Sequence, residues 1–195
     1  MEIQNLNPEI GDMFEPGDQI IIQEKIDGSN ASFQYDRETD SVICFSRNQI
    51  LSPELNLRGF YEWVQKLDKE QVHAVLGDNL RMFGEWLVRH TVPYPKDCYE
   101  TLYCFDVFDM EQHRYLPQDQ VKALAEQLGL RYVPVFYEGP FTSWEDYQPL
   151  VGKTELGGEI GEGIIIKNLS TLSGNLAYTK IVHENFSENK KTWKK

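Results

Sequence analysis

Charged side chains stand at the ends of, or inside, several strongly apolar segments of this sequence. The first is Lys25, which follows the β-branched run Ile20-Ile21-Ile22 and precedes the turn dipeptide Asp27-Gly28. Burying an unpaired ammonium is costly, but a lysine that loses its proton through desolvation or nearby positive charge becomes a nucleophilic amine. Taken alone, Lys-x-Asp-Gly also fits an ordinary hairpin with a solvent-facing lysine, so a catalytic interpretation needs support from other segments.

The same pattern of a charge within or beside an apolar strand recurs along the chain. The further positions are Arg47, Glu85, Asp106, Glu162, Lys167 and Lys180. Charges at such positions are expected to be paired or functional. A structural ion pair explains any one of them, whereas the whole set in this order favours a functional site.

The order and local sequences of these segments resemble the covalent nucleotidyltransferase superfamily, which contains ATP-dependent RNA and DNA ligases and mRNA capping enzymes. The resemblance extends from about residue 20 to 190 and rests on Glu24-Lys25-Ile26-Asp27-Gly28, Ser46-Arg47, Phe83-Gly84-Glu85-Trp86, Tyr103-Cys104-Phe105-Asp106-Val107-Phe108, Glu162-Gly163-Ile164-Ile165-Ile166-Lys167 and Lys180. Within the superfamily, the stretch Glu-Lys-Ile-Asp-Gly-Ser-Asn is similar to the phage-type RNA ligases that seal nicks in duplex RNA.

The resemblance implies an enzyme that works through a lysyl-adenylate. Lys25 would attack the α-phosphorus of ATP and expel pyrophosphate. The AMP would pass to a 5′-phosphate on RNA, and a 3′-hydroxyl would then seal the strand. Glu162 would supply an oxygen ligand for Mg²⁺ or Mn²⁺. Lys167 and Lys180 would provide positive charge for the triphosphate and favour loss of the proton from Lys25.

The resemblance also assigns the remaining polar and aromatic positions to the nucleoside. Glu85 and Arg47 are expected to contact hydroxyl or phosphate groups around the ribose. Phe105 offers a face for stacking on adenine, although an aromatic residue inside a strand also serves as core. Glu24 is expected to recognise the exocyclic amine of adenine, and Asn30 is a further polar candidate beside the nucleophile.

Other functions fit parts of the same pattern. A DNA ligase or a GTP-using capping enzyme would share the fold, since Glu24 and Phe105 do not decide between adenine and guanine. A nucleotide-binding module without transfer, or a domain whose buried charges are only ion pairs, would not need a nucleophile at Lys25. One departure concerns the last motif, which often carries two lysines separated by one residue, because here Lys180 is followed by Ile181-Val182.

The alternation of strand groups with helices predicts an α+β fold, in which antiparallel sheets flanked by helices position these residues. Runs of apolar and β-branched residues predict strands at 20–25, 31–35, 41–45, 80–88, 101–108, 131–137, 164–167 and 176–182. The first three are expected to form an antiparallel meander, with Asp27-Gly28 as the first hairpin turn. Helical spacing predicts helices at about 55–68, 117–128 and 143–151, and a glycine-rich loop covers 157–163.

Length and composition limit the number of domains and the class of protein. A chain of 195 residues with 41% hydrophobic residues predicts a single nucleotidyltransferase domain over 1–195. The basic tail at 188–195 is expected to be either a solvated terminus or a linker to a C-terminal module that binds nucleic acid. A net charge of −12 argues against a general nucleic-acid coat, so RNA binding would need a local basic groove. No apolar run is long enough to span a bilayer, and the three cysteines and four histidines show neither the spacing of a disulfide framework nor that of a zinc site. These observations predict a soluble, cytoplasmic protein.

Overall fold

The computed structural model describes residues 13–170 and 177–186, and four of its strands form a first sheet. These strands are β1 (Gln19–Lys25), β8 (Val135–Pro140), β9 (Gly163–Asn168) and β10 (Ala177–Val182). They lie in the order β10-β9-β1-β8, and every neighbouring pair is antiparallel. One face of this sheet is buried because alternate residues are apolar, among them Ile20, Ile22 and Ile166.

A second sheet contains the remaining strands. They are β2 (Ser29–Asp36), β3 (Ser41–Ser46), β4 (Leu80–Leu87), β5 (Thr101–Asp109), β6 (Arg114–Tyr115) and β7 (Arg131–Tyr132). The order is β3-β2-β4-β5-β6 with antiparallel pairing throughout, and β7 joins β5 in parallel. The two sheets contribute residues to one cleft, which is described below.

Short helices cover the outer faces of the sheets. They are α1 (Phe60–Gln65), α2 (Lys69–Leu76), α3 (Gln118–Gln127) and α4 (Trp144–Tyr147). The first three pack on the second sheet and α4 packs on the first. Asp68 caps α2 by accepting hydrogen bonds from the backbone N–H groups of Glu70 and Gln71, and Pro117 precedes α3. The expected α+β fold with antiparallel sheets flanked by helices is confirmed.

The predicted hairpin between the first two strands is wrong. β1 pairs with β8 and β9, whereas β2 pairs with β3 and β4, so Asp27-Gly28 crosses from one sheet to the other. The Asp27 carboxylate accepts hydrogen bonds from the backbone N–H groups of Thr91 and Val92, at 2.9 and 2.8 Å. The Asp27 N–H donates to the Tyr94 hydroxyl at 2.9 Å. The dipeptide is therefore tied to the 91–94 loop rather than to a hairpin turn.

Two further boundaries differ from the predictions. The helix expected at 55–68 begins only at Phe60, because Leu57, Arg58 and Gly59 have positive φ angles, and the sequence prediction missed α2. The strand expected at 131–137 is divided into β7 and β8, which belong to different sheets. The basic tail at 188–195 and position 176 lie outside the described residues. Within the described part of the chain, no helix has the length and apolar character needed to cross a membrane.

Candidate active site

A cleft of about 550 Å³ lies between the two sheets. Its walls include the expected nucleophile and all of the expected nucleotide-binding residues, namely Lys25, Glu24, Asn30, Arg47, Glu85, Phe105, Lys167 and Lys180. The structure therefore brings together residues that are separated by up to 156 positions in the sequence, as between Glu24 and Lys180.

The pairing of β1, β9 and β10 defines the floor of the cleft. Directly opposed residues of antiparallel strands point to the same face, about 5 Å from strand to strand. Three rows result, and they are Lys25–Gly163–Val182, Gln23–Ile165–Lys180 and Ile21–Lys167–Tyr178. The nucleophile thus shares its row with Val182, the position at which the superfamily often has a second lysine.

Lys25 is held by a carboxylate at the end of β1. Its Nζ lies 2.7 Å from Oε2 of Glu162, and both side chains are largely covered, with 20% and 15% of their areas exposed. Burial raises the pKa of Glu162, and the charge of Lys25 opposes that effect. Glu162 precedes β9, so the row pairing of Lys25 with Gly163 brings the two charged groups together.

Glu85 faces the nucleophile from the second sheet. Burial raises the pKa of its carboxyl to about 7, against the opposing charge of Lys25. Its Oε1 accepts a hydrogen bond from the Gly28 N–H at 3.2 Å. A Cβ at Gly28 would lie 2.5 Å from the Trp86 carbonyl oxygen, so only glycine allows this close approach. Asn30 is the β2 partner of Glu85, which places both on the same side of the cleft.

A β-bulge directs Phe105 into the cleft. On β4 the adjacent residues Phe83 and Gly84 pair with Asp106 and Cys104, which leaves Phe105 without a partner. An extra residue reverses the alternation of side chains along the strand. Phe105 and Asp106 consequently both line the cleft, while Cys104 remains in the core.

Lys167 has a different set of contacts from the one predicted. It is 2% exposed, and its Nζ donates to the Phe105 carbonyl at 2.7 Å, to Asp106 Oδ1 at 3.1 Å and to Gln118 Oε1 at 3.3 Å. Burial lowers the pKa of Lys167 and raises that of Asp106, and each charge opposes the effect on the other. An ammonium has three N–H donors, and all are engaged. Its contact with the triphosphate stays a prediction that this geometry does not favour.

The Glu24 carboxylate forms hydrogen bonds with residues 154 and 155. Glu24 borders the cleft, but strand alternation points its side chain to the opposite face of β1 from Lys25. Its Oε2 accepts from the Thr154 hydroxyl at 3.0 Å, and its Oε1 accepts from the Glu155 N–H at 2.7 Å. Burial raises its pKa, and these hydrogen bonds oppose the shift. Its predicted role towards the adenine amine stays a prediction, since both oxygens already bind the 154–155 loop.

Arg47 and Lys180 are exposed cations that line the cleft. Arg47 directly follows β3 on the second sheet, and Lys180 lies on β10 at the edge of the first sheet. Because they are on opposite walls, they are placed to meet an anion that enters the cleft between them. Tyr115 and Tyr178, which the sequence prediction did not include, also line this cleft.

Glu162 suits a divalent cation as a single carboxylate ligand. Among the described residues, no group of three His, Cys, Asp or Glu side chains comes together as a complete metal site. Mg²⁺ in phosphate-transferring sites typically uses one or two carboxylates, with the other positions taken by water and phosphate oxygens. The expected Mg²⁺ or Mn²⁺ therefore fits the side chains present, on condition that phosphate completes the coordination.

The sequence prediction also missed Gln23 and Gln118. Gln23 lies two residues before Lys25, so strand alternation alone places it on the same face of β1. Gln118 lies on α3, in a segment that showed only the pattern of an amphipathic helix. Its contact with Lys167 joins residues 49 positions apart, and no local pattern indicates it.

Two antiparallel sheets around a cleft, with a lysine at the end of the central strand, define a nucleotidyltransferase fold. The family model described as RNA ligase matches residues 18–182 of the sequence. This chain therefore belongs to the RNA ligase family. No curated protein matches the sequence.

Solved structures of RNA ligases share this fold. A Naegleria gruberi RNA ligase mutant with ATP and Mn has 20% identity and a TM-score of 0.71, over 95% of this chain and 55% of that chain. A mutant of the same ligase with AMP and Mn has 20% identity and a TM-score of 0.69, with the same coverage. An archaeal ATP-dependent RNA ligase has 19% identity and a TM-score of 0.67, over 92% of this chain and 46% of that chain. This chain thus spans about half the length of these ligases.

Proposed function

We propose that this chain is an ATP-dependent RNA ligase, or the nucleotidyltransferase part of one. The observation that carries the proposal is the position of Lys25, which ends the central strand of one sheet inside a cleft shared with the other. Family membership supports it, and so do the related RNA ligase structures, which contain ATP and Mn or AMP and Mn. A module that only binds a nucleotide would not require a lysine at this point.

The first chemical step is transfer of AMP to Lys25. Before attack, Nζ leaves Glu162 Oε2 and gives up its proton to solvent. The amine then forms a bond to the α-phosphorus of ATP, and the bond between that phosphorus and the bridging oxygen breaks. Pyrophosphate carries away the bonding electrons, and the product is a lysyl-AMP phosphoramidate.

The other cleft residues position the nucleotide for this step. Arg47 and Lys180 suit phosphate contacts, since each is an exposed cation on the cleft wall. Glu85 and Asn30 suit contacts with ribose hydroxyls, and Phe105 suits stacking on the base. Glu162 is the side chain that would hold Mg²⁺ or Mn²⁺, which supplies charge neutralisation for the phosphates when bound.

Two further transfers would complete strand joining. The AMP moves from Lys25 to a 5′-phosphate on RNA, which regenerates the amine and forms an activated pyrophosphate linkage. A 3′-hydroxyl then attacks the RNA phosphorus and AMP leaves. Because the formal charge of the chain is −12, RNA affinity would depend on local cations or on a separate nucleic-acid-binding module.

The proposed setting is the reducing cytoplasm. Cys44, Cys98 and Cys104 are all buried as free thiols, which agrees with a compartment that does not form disulfides.

A strand-joining assay tests this function. Nicked duplex RNA with 5′-phosphate and 3′-hydroxyl ends is incubated with ATP and Mg²⁺, and the sealed strand is quantified by gel electrophoresis. We expect sealing by the full chain and by Lys122→Ala, which removes an exposed lysine of α3, but not by Lys25→Ala. RNA that already carries a 5′-adenylate should be sealed without ATP. Absence of product from both substrates would contradict strand joining.

A further inference from the structure

The second sheet has one packed face and one open face. Phe33 and Met82 lie in the core between this sheet and its helices. Strand alternation directs their neighbours Gln34 and Arg81 to the other side, where both are half-buried. Arg81 lies four residues before Glu85 on β4, so both point to the same face and their Cα atoms are about 13 Å apart. The open face therefore continues from the cleft beyond the residues assigned to the nucleotide.

One row of side chains crosses this part of the face from strand to strand. It consists of Gln34, Arg81, Phe108 and Tyr115. Tyr115 also lines the cleft, which makes the row continuous with the candidate active site. Neither the sequence motifs nor the chemistry of AMP transfer accounts for a cation and two aromatic rings at these positions.

Arg81 is a fixed cation without a carboxylate partner. Its Cζ lies 3.9 Å from the centroid of the Phe45 ring, and its Nε donates to Gln34 Oε1 at 2.7 Å. Within the described part of the chain, its two terminal nitrogens donate no hydrogen bond, and the guanidinium forms no ion pair. Burial lowers the pKa of Arg81. An anion on these N–H groups would offset the cost of this desolvation and complete the hydrogen bonding of the guanidinium.

Aromatic rings lie beside this cation on the same face. Phe108 and Tyr115 are both half-buried, and their ring centroids are 5.0 Å apart in an edge-to-face arrangement. Rings exposed on a sheet next to a cation are suited to stacking on nucleobases while the cation contacts the backbone. Bases of a duplex are already stacked and paired, so an unpaired segment is the form of RNA that offers both a phosphate and an open base.

We propose that an unpaired segment of the substrate RNA lies across this face, with a phosphate on Arg81 and a base on Phe108. The inference rests on the proposed function, and it names the substrate class as RNA with unpaired nucleotides near the ends to be joined. Arg81 would then supply one of the local cations that a chain of net charge −12 needs in order to bind RNA.

The test measures RNA binding on the full chain by fluorescence anisotropy. The probes are a labelled single-stranded RNA with a 5′-phosphate and the same strand annealed to its complement. We expect Arg81→Met to raise Kd for the single strand roughly 10-fold, and Phe108→Leu to raise it roughly fivefold. Kd for the paired strand should change by less than about twofold.

Two further variants separate a phosphate contact from a general structural effect. Lys122→Met removes an exposed lysine from α3, on the packed side of the sheet, and should change neither Kd. For the single strand, the slope of log Kd against log salt should fall by roughly 0.7 in Arg81→Met, because one phosphate contact is lost. Arg81→Lys keeps the charge and should keep this slope, even where the loss of the planar fork weakens binding. A slope that Arg81→Met leaves unchanged would overturn the inference.

Transfer of AMP to Lys25 is measured separately by intact mass. An unchanged Kd for the single strand in Arg81→Met, an equal loss with both RNAs, or a raised KM for ATP in this variant would each overturn the inference, the last because it would place a nucleotide phosphate on Arg81. A wild-type chain that binds the single strand as described but takes up no AMP would instead overturn the proposed function.

Discussion

Replacing Glu85 with glutamine should change how the stability of the protein depends on pH. Burial raises the pKa of the Glu85 carboxyl from 4.5 to about 7. Between these pH values the unfolded chain is ionised at this residue while the folded protein retains the proton. The folded state then binds more protons than the unfolded state, so stability falls as pH rises through this range.

The size of the effect follows from the same two pKa values. One pKa unit corresponds to 1.36 kcal/mol, so the wild type loses at most about 3 kcal/mol of stability between acid and alkaline conditions. Glutamine keeps an oxygen that can accept the Gly28 N–H, but it does not ionise. The unfolding free energy of Glu85→Gln should equal that of the wild type near pH 4.5 and exceed it by about 1–3 kcal/mol above pH 7.

Urea denaturation, followed by tryptophan fluorescence across this pH range, measures the difference directly. The matched control is Glu62→Gln, which removes an exposed carboxylate on α1 and should change stability by less than about 0.5 kcal/mol at any pH. The Glu85 variant should transfer AMP more slowly even where it is more stable, because active-site charge is retained at the expense of stability. Parallel stability curves for the wild type and Glu85→Gln would refute the reasoning.

Further substitutions test other parts of the cleft. Asp106→Asn removes the carboxylate from the buried Lys167 and should lower the unfolding free energy by about 3–5 kcal/mol in chemical denaturation. Combining Asp106→Leu with Lys167→Met should cost less than the sum of the single changes, and strictly additive losses would count against a coupled pair. Gly28→Ala places a methyl carbon 2.5 Å from the Trp86 carbonyl oxygen and should cost roughly 1–3 kcal/mol, so an unchanged melting temperature would contradict the close approach. Val182→Lys adds a cation to the row of the nucleophile and should lower KM for ATP roughly fivefold, about 1 kcal/mol, in a titration of AMP transfer; an equal or higher KM would exclude a phosphate contact from this position.

Local sequence patterns predicted the candidate site better than they predicted the sheets around it. A charge at the end of an apolar strand, or inside one, shows where a polar group leaves the core, and Lys25 and Glu85 line the cleft. Phe105, which was expected there from the family resemblance, lines the cleft too. Partner strands are not visible in such patterns. Asp27-Gly28 has the composition of a hairpin turn, but contacts with residues 91–94 give it another role.

The contacts of individual charges also depend on distant parts of the chain. Glu24 accepts a hydrogen bond from Thr154, which is 130 residues away in the sequence. Lys167 of the first sheet donates to Gln118 on α3, a helix that packs on the second sheet. Phe105 reaches the cleft through a bulge whose position depends on the pairing of β4 with β5. Because the two partners of each contact are far apart in the sequence, no short segment predicts them, and only the folded structure shows them.

Locating the covalent adduct tests the central claim most directly. The full chain is incubated with ATP and Mg²⁺, or with Mn²⁺, and then analysed by intact mass and peptide mapping, with Lys122→Ala as the control for Lys25→Ala. We predict a mass increase of one AMP on Lys25 that chelation of the metal prevents, that pyrophosphate reverses and that Lys25→Ala alone abolishes. A folded wild-type protein that forms no adduct with either metal, or forms it on another residue, would contradict the account.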